Sequence, residues 1–290
     1  MPMVEHKVKC LDVGEGASGS HDMAYVEWGD PSNERVLICV HGLTRNGRDF
    51  DELASALQGE YRVVCPDVAG RGQSDWLKDP AQYGPVQYDA DMNALIAQLD
   101  APRVDWVGTS MGGIIGMVMA ATPGNRVRRM VLNDVGPFIP KAALERIGTY
   151  VGAPPFFDDA AGLEAYLRDV HAPFGDLTDA QWAHMAAHGG RRVEGGWTLG
   201  YDPGIALPFT GGGPLQDVEM WELWDAIECP TLTLRGENSD LLLADTATEM
   251  TLRGPTADLV TVPGCGHAPA LMADDQIDVI RDWLAAASPT

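Results

Sequence analysis

The sequence predicts an α/β fold, in which a mostly parallel central sheet is flanked by helices and carries an inserted helical segment. Short apolar runs alternate with longer helix-like stretches through the first half of the chain, which is typical of βαβ crossovers. The alternation stops between residues 137 and 216 and resumes near the C-terminus. The first observation predicts the parallel sheet, and the second predicts the insertion.

Seven apolar runs are candidate strands: residues 24–28, 36–40, 62–65, 104–107, 130–133, 231–235 and 259–262. Four stretches between or after them have helical periodicity: residues 49–57, 88–99, 111–121 and 276–287.

The inserted stretch is too long to be a loop without structure of its own. It contains three helix-like runs at residues 142–150, 160–171 and 179–188, separated by Pro- and Gly-rich turns. We therefore expect a core domain of residues 1–136 and 217–290, with residues 137–216 forming a helical cap. The cap is expected over the carboxyl edge of the sheet, where open α/β sheets bind ligands.

Composition excludes several classes of partner. The 290 residues are 45% apolar and 21% charged, as in ordinary globular proteins, and the formal net charge is −22. Such a surface repels phosphate backbones and anionic headgroups, so we expect neither nucleic-acid nor membrane binding. It also disfavours anionic substrates unless a local cation compensates.

Because the sequence has no signal-peptide pattern and no apolar run of about 18 residues, we expect a cytoplasmic protein.

Cysteine usage suggests reduced thiols. The five cysteines are odd in number and include no Cys-x-x-Cys pair, which argues against a disulfide framework and a zinc site. No metal, nucleotide or flavin signature is present, so we expect no cofactor. Oligomeric state leaves no signal in the sequence.

The strongest local motif is Gly-Thr-Ser-Met-Gly, centred on Ser110, between a predicted strand and an apolar helix. A serine at such a tight turn projects its hydroxyl away from the sheet, and Gly108 and Gly112 leave room for the chain to fold back on itself. The start of the helix places N–H groups beside a developing oxyanion. We therefore predict that Ser110 is a nucleophile.

Two backbone N–H groups are candidates for an oxyanion hole. One belongs to Met111, directly after the serine, and the other to Leu43, which follows a buried strand ending in His41 and Gly42. For His41 itself we favour a structural role.

The nucleophile requires a base and an orienting acid. His267 follows the last predicted strand and therefore reaches the same edge of the sheet as Ser110. We predict Asp240 as the acid, because it also follows a strand and gives the order Ser, Asp, His. Asp134, which follows the neighbouring strand, and Glu237, on the same loop as Asp240, remain alternatives.

Five motifs in order (HGLTRNG, DVAGRGQSD, GTSMGG, RGENSD and GCGHAP) resemble the α/β-hydrolase superfamily, in particular its capped bacterial esterases, lactonases and carbon–carbon bond hydrolases. The resemblance extends from about Tyr25 to Leu284. It implies the α/β-hydrolase fold, a triad of Ser110, Asp240 and His267, and the two oxyanion donors named above. We interpret DVAGRGQSD as a structural turn.

The expected reaction is hydrolysis of a carboxylic ester through an acyl-enzyme, on a small to medium, largely uncharged acyl substrate. Phe156, Trp182 and Trp197 of the cap are candidate substrate-binding residues. Hydrolysis of a lactone, or of a carbon–carbon bond in a ring-cleavage product, is the second hypothesis, which a cap arginine such as Arg191 or Arg192 near the site favours. The third is a hydrolase-fold protein that binds a ligand without turnover.

Overall fold

A computed structural model describes residues 2–14, 18–210 and 214–286, and its centre is one eight-stranded sheet. Its strands are β1 (Val4–Leu11), β2 (Ser20–Trp28), β3 (Val36–Val40), β4 (Arg62–Pro66), β5 (Val104–Thr109), β6 (Val127–Asn133), β11 (Thr231–Gly236) and β12 (Asp258–Val262). Their spatial order is β1-β2-β4-β3-β5-β6-β11-β12.

The sheet is antiparallel at one edge and parallel elsewhere. β2 pairs antiparallel with both β1 and β4, whereas every pair from β4 to β12 is parallel. All five residues of β3 are buried, because helices cover both faces of the parallel part. The predicted mostly parallel sheet and the α/β-hydrolase fold are confirmed, and the polar edge strand β1 is an addition that the sequence did not reveal.

Ten α-helices accompany the strands in the described residues. They are α1 (Asp51–Leu57), α2 (Pro85–Gln98), α3 (Met111–Ala121), α4 (Lys141–Gly148), α5 (Ala160–Val170), α6 (Asp179–Gly189), α7 (Leu207–Thr210), α8 (Trp221–Asp225), α9 (Ala244–Met250) and α10 (Asp274–Ala285). Apolar side chains of α1 and α10 pack on one face of the sheet, and those of α2, α3, α8 and α9 pack on the other. The sheet is therefore the middle of three layers.

The segment between β6 and β11 has a more mixed structure than predicted. It contains α4, α5 and α6, as the periodicity suggests, together with the short helix α7, which was not predicted, and a β-hairpin of β8 (Gly190–Val193) and β9 (Gly196–Leu199). Two short antiparallel strands, β7 (Phe138–Ile139) and β10 (Val218–Glu219), join its two ends. The Gly-rich turn at 208–214 lies partly outside the described residues. These short strands lie beside residues 137 and 216, between which we predict the cap.

All five cysteine thiols are free, and four of them are buried. Within the described residues, no helix is both long enough and apolar enough to cross a membrane.

Candidate active site

Ser110 occupies a sharp turn between β5 and α3. Its φ of 51° lies in the left-handed region, which is strained for a serine and is sustained by the surrounding structure. A Cβ on Gly108 would come within 2.4 Å of the Gly112 carbonyl oxygen, and one on Gly112 within 2.0 Å of the Val40 carbonyl oxygen. Neither position therefore accommodates a side chain, and the turn presents the Ser110 hydroxyl at the carboxyl edge of the sheet.

His267 meets this hydroxyl from the loop that follows β12. Its Nε2 lies 2.9 Å from Ser110 Oγ, within hydrogen-bond distance. The imidazole is largely buried, with 10% of its side chain exposed. The contact places a nitrogen base against the strained serine.

The other ring nitrogen of His267 lies 2.7 Å from Asp134 Oδ2. The same carboxylate accepts hydrogen bonds from the Gly236 N–H at 2.8 Å and from the Ser239 hydroxyl at 2.6 Å. Asp134 is fully buried, and these donors compensate the loss of solvation of its charge. Because a carboxylate only accepts hydrogen bonds, His267 carries its proton on Nδ1, which leaves Nε2 free to accept the Ser110 proton.

The prediction that Asp240 orients His267 is wrong. The Asp240 side chain is half exposed and forms a two-pronged ion pair with Arg146 of α4, whose Nη2 lies 2.9 Å from Asp240 Oδ1. Its neighbour Ser239 is the residue of that loop that contacts Asp134. The third candidate, Glu237, accepts a hydrogen bond from the Gly264 N–H at an exposed position instead.

Asn133 is a supporting residue that sequence analysis missed. Its carbonyl oxygen accepts the Ser110 N–H at 3.0 Å, and its side-chain amide donates to Thr109 Oγ1 and to the Pro269 carbonyl. This buried asparagine thus ties the serine turn to the histidine loop. The available signal was a polar residue at the end of the otherwise apolar run predicted at residues 130–133.

The peptide that carries the Leu43 N–H is fixed by His41. The His41 Nε2 accepts the Val68 N–H at 2.9 Å, so its proton is on Nδ1, which donates to the Gly42 carbonyl at 2.7 Å. Burial lowers the His41 pKa to about 3, so the ring stays neutral. In a trans-planar peptide the N–H points away from the carbonyl, and the Leu43 N–H is thereby directed away from His41.

A cavity of about 70 Å³ lies over Ser110 and His267. Leu43 lines it from the core, and the inserted segment contributes six side chains: Arg146, Ile147, Tyr150, Val170, His171 and Phe174. Burial, followed by the nearby Arg45 and His267, lowers the pKa of His171, which makes it a neutral polar group in the cavity wall.

Two cations also line the cavity, and both have carboxylate partners. Arg45 is buried and forms a bidentate pair with Asp49. Arg146 pairs with Asp240. The cavity therefore has both polar and apolar walls, and its two guanidinium charges are balanced by the protein itself.

The three predicted substrate-binding aromatics do not line this cavity, so that prediction is corrected. Trp182 is buried against Met185 and Met272 in a separate small cluster. Trp197 stacks under the Arg192 guanidinium, and Phe156 is 57% exposed. Trp182 follows the ordinary tendency of a large apolar ring to be buried in a core.

Two groups of potential metal ligands occur in the described residues, and neither belongs to this cavity. Cys10, His21 and Asp91 form one buried group, in which His21 and Asp91 already bond each other. The second group consists of Asp51, His184 and His188, where the Arg48 guanidinium pairs with Asp51.

Three comparisons with known proteins agree with this architecture. The sequence model of the Alpha/beta hydrolase family matches residues 37–280. The chain is 49% identical over 288 residues to a 3-hydroxybutyrate-oligomer hydrolase of Cupriavidus necator, covering 97% of each chain. It is 27% identical over 233 residues to a 2-(acetamidomethylene)succinate hydrolase of Mesorhizobium japonicum, covering 80% of this chain and 81% of that protein.

Solved structures are similar over nearly the whole chain. A crystal structure of an alpha/beta hydrolase from Novosphingobium aromaticivorans superposes with a TM-score of 0.83 at 38% identity, covering 97% of this chain and 98% of that one. A crystal structure from Rickettsia typhi gives a TM-score of 0.91 at 34% identity, covering 99% and 100%.

Proposed function

Because this chain belongs to the alpha/beta hydrolase family, we propose that it is a serine hydrolase of carboxylic esters. One observation carries the proposal: Ser110 Oγ, the imidazole of His267 and the Asp134 carboxylate form a continuous hydrogen-bonded chain with distances of 2.9 and 2.7 Å. In this assignment Ser110 is the nucleophile, His267 the general base and Asp134 the orienting acid.

The reaction proceeds in two acyl transfers. As Ser110 Oγ attacks the ester carbonyl carbon, its proton passes to His267 Nε2, and the buried Asp134 charge stabilises the imidazolium. His267 then protonates the departing alcohol oxygen, which leaves an acyl group on Ser110. A water molecule gives its proton to His267 and attacks this acyl carbon, and the acid is released when the proton returns to Ser110.

The carbonyl oxygen becomes negatively charged in each tetrahedral intermediate. We assign its stabilisation to the backbone N–H groups of Leu43 and Met111, as the sequence predicts. Met111 is the first residue of α3, so its N–H lies at the positive end of the helix dipole. Donors of this kind are each worth roughly 10²- to 10³-fold in kcat.

We propose that residues 137–216 are a cap that selects the substrate. The cavity is small, and the inserted segment supplies polar groups to it, including Arg146, Tyr150 and His171. Together with the similarity to the Cupriavidus necator hydrolase, this favours esters of short 3-hydroxy acids, in which each repeat carries a hydroxyl or ester oxygen and one end carries a carboxylate. This substrate class is more polar than the largely uncharged acyl esters expected from the sequence.

The cap arginine near the site that would favour carbon–carbon bond cleavage is Arg146, but its charge is already paired with Asp240. The arginines expected to indicate it lie elsewhere, since Arg191 stacks on Trp76 and Arg192 on Trp197, outside the cavity around Ser110.

The proposal is tested by assaying the purified protein on the linear dimer of 3-hydroxybutyrate, on p-nitrophenyl esters of increasing acyl length, on a lactone and on a vinylogous diketone. We expect turnover of the dimer and of short esters that is lost in Ser110→Ala. Ser32→Ala, which removes an exposed hydroxyl bonded to Asp30, is the matched control and should retain full activity. Turnover that survives in Ser110→Ala, or activity confined to the diketone, contradicts the proposal.

A further inference from the structure

Arg71 is a fully buried cation that has no carboxylate partner among the residues that the structure describes. Its side chain has no exposed surface, and no acidic group of the described residues lies within 4.0 Å of its guanidinium. Its donors are satisfied by neutral acceptors, among them the Ala69 carbonyl at 2.7 Å and the Tyr88 hydroxyl at 2.8 Å. Burying an unpaired charge is costly, so such a residue calls for a functional explanation.

The two remaining acceptors of Arg71 belong to the residues of the assigned oxyanion hole. Arg71 Nε donates to the Leu43 carbonyl at 2.9 Å, and Nη2 lies 3.5 Å from Met111 Sδ. The hydrogen bond to the Leu43 carbonyl oxygen is strong, whereas the contact with the Met111 thioether sulfur is weak. One planar group thus touches both residues whose N–H groups face the developing charge.

The turn that carries Arg71 is itself tightly held. The buried Asp67 accepts the N–H groups of Gly47 and Gln73, and a Cβ on Gly72 would lie 2.1 Å from the Asp67 carboxylate. Gly72 has a φ of +54°, a conformation that glycine adopts without strain. The turn therefore delivers the Arg71 side chain to one fixed place beneath the site.

We propose that Arg71 is a positioning residue for the oxyanion hole, which fixes Leu43 and Met111 and adds an uncompensated positive charge beside them. The inference rests on the proposed function. Because the charge is not neutralised by a carboxylate and lies in a poorly polarisable interior, it favours the anionic intermediate over the neutral ester. It therefore acts on the transition state more than on substrate binding. The segment DVAGRGQSD thereby has a role beyond that of a structural turn.

The test compares Arg71→Lys and Arg71→Met with Tyr88→Phe. Lysine keeps the charge but lacks the planar fork that bridges Leu43 and Met111, and methionine removes both the charge and the fork. Tyr88→Phe removes one acceptor of the same guanidinium and leaves the contacts with the oxyanion-hole residues intact. Each variant is first checked for folding by circular dichroism and thermal unfolding.

We expect kcat on a short p-nitrophenyl ester to fall about 10-fold in Arg71→Lys and about 100-fold in Arg71→Met, with KM changed less than threefold. The affinity for a trifluoromethyl ketone, which forms an oxyanion when Ser110 adds to it, should fall in parallel with kcat/KM. Tyr88→Phe should keep kcat within twofold. If Arg71→Met does not fold, the inference is tested with Arg71→Lys and Met111→Leu. In Met111→Leu, kcat is expected to fall at least threefold.

Folded Arg71 variants with unchanged kcat, or with a raised KM and normal kcat, overturn the inference and leave Arg71 a structural residue. The proposed function fails separately, because it requires Ser110-dependent turnover by the unsubstituted protein. If that turnover is present and the Arg71 variants match it, this inference alone is wrong.

Discussion

Asp134 and His267 are joined by a 2.7 Å hydrogen bond across 133 residues of sequence. Asp134 follows β6, which pairs directly with β5, the strand that ends just before Ser110. The acid and the nucleophile therefore come from adjacent strands, and His267 reaches them from the loop after β12. The chain order remains Ser, Asp, His, although the acid lies one strand nearer the serine than predicted.

We expect Asp134→Asn to lower kcat by about 10⁴-fold, because an amide no longer holds the imidazole in the tautomer with its proton on Nδ1. Asp240→Asn, the matched change at the predicted position, should keep kcat on an uncharged ester within threefold. Steady-state kinetics at neutral pH measure both. Equal losses in the two variants, or a loss confined to Asp240→Asn, would restore the sequence-based assignment.

Sequence reasoning located the edge of the sheet where the acid lies but not which acid reaches the histidine. Two acidic residues follow neighbouring strands, and their spacing to His267 does not show which of them contacts it. The difference between them is the burial of their side chains. Asp134 has no exposed surface, whereas half of the Asp240 side chain is exposed. Burial of a side chain depends on how the loops pack, which a single sequence does not encode locally.

Secondary structure was predictable where the apolar pattern is strong. The central parallel strands β3 and β4 are nearly continuous apolar runs, because helices cover both faces of the sheet there. β1 was missed since most of its residues are exposed and its pairing with β2 is antiparallel. The hairpin of β8 and β9 was missed because its strands are short and β8 carries two arginines. The cavity lining from the insertion was also inaccessible, since it depends on how each helix is rotated.

The ion pair of Arg146 with Asp240 links α4 of the insertion to the loop after β11. Both side chains are partly exposed, so we expect Asp240→Asn to lower the free energy of unfolding by less than about 1 kcal/mol. In Asp240→Asn, the positive charge of Arg146 has lost its carboxylate partner and can interact with an anionic group in the cavity. KM for the anionic 3-hydroxybutyrate dimer should then fall about threefold, whereas KM for the methyl ester of the same dimer should not change. A similar change for both substrates contradicts a role of this charge in binding the carboxylate.

His171 provides a neutral polar group to the cavity, and its ring makes no hydrogen bond with any residue that the structure describes. It packs against Phe174 with ring centroids 4.5 Å apart. We expect His171→Phe to raise KM about fivefold for a 3-hydroxybutanoyl ester, since a hydrogen bond of about 1 kcal/mol to the substrate hydroxyl is lost. The butanoyl ester lacks this hydroxyl and serves as the matched control, with KM expected to change less than twofold. Equal effects on the two esters would mean that His171 only shapes the cavity.

His21 should make stability depend on alkaline pH. Its Nδ1 lies 2.9 Å from Asp12 and its Nε2 3.2 Å from Asp91. Burial acts to lower the pKa of His21, but hydrogen bonds to Asp91, Cys10 and Asp12 outweigh it and raise the pKa to about 11. Two carboxylate acceptors require that both ring nitrogens carry protons, so the folded protein holds a buried imidazolium.

Because this pKa is raised above that of the unfolded chain, near 6.5, the contribution of His21 is complete below that pH and is lost as pH rises toward 11. We expect His21→Gln to lower the free energy of unfolding by about 3 kcal/mol at pH 6, since it leaves two buried carboxylates unpaired. The difference from the unsubstituted protein should shrink by up to about 1.4 kcal/mol per pH unit above pH 7. Urea unfolding at pH 6, 7.5 and 9 measures this difference.

The control is His6→Gln, at an exposed position on β1, which should change the free energy of unfolding by less than about 0.5 kcal/mol at each pH. A difference for His21→Gln that stays constant or grows between pH 6 and 9 would show that the buried imidazole is neutral.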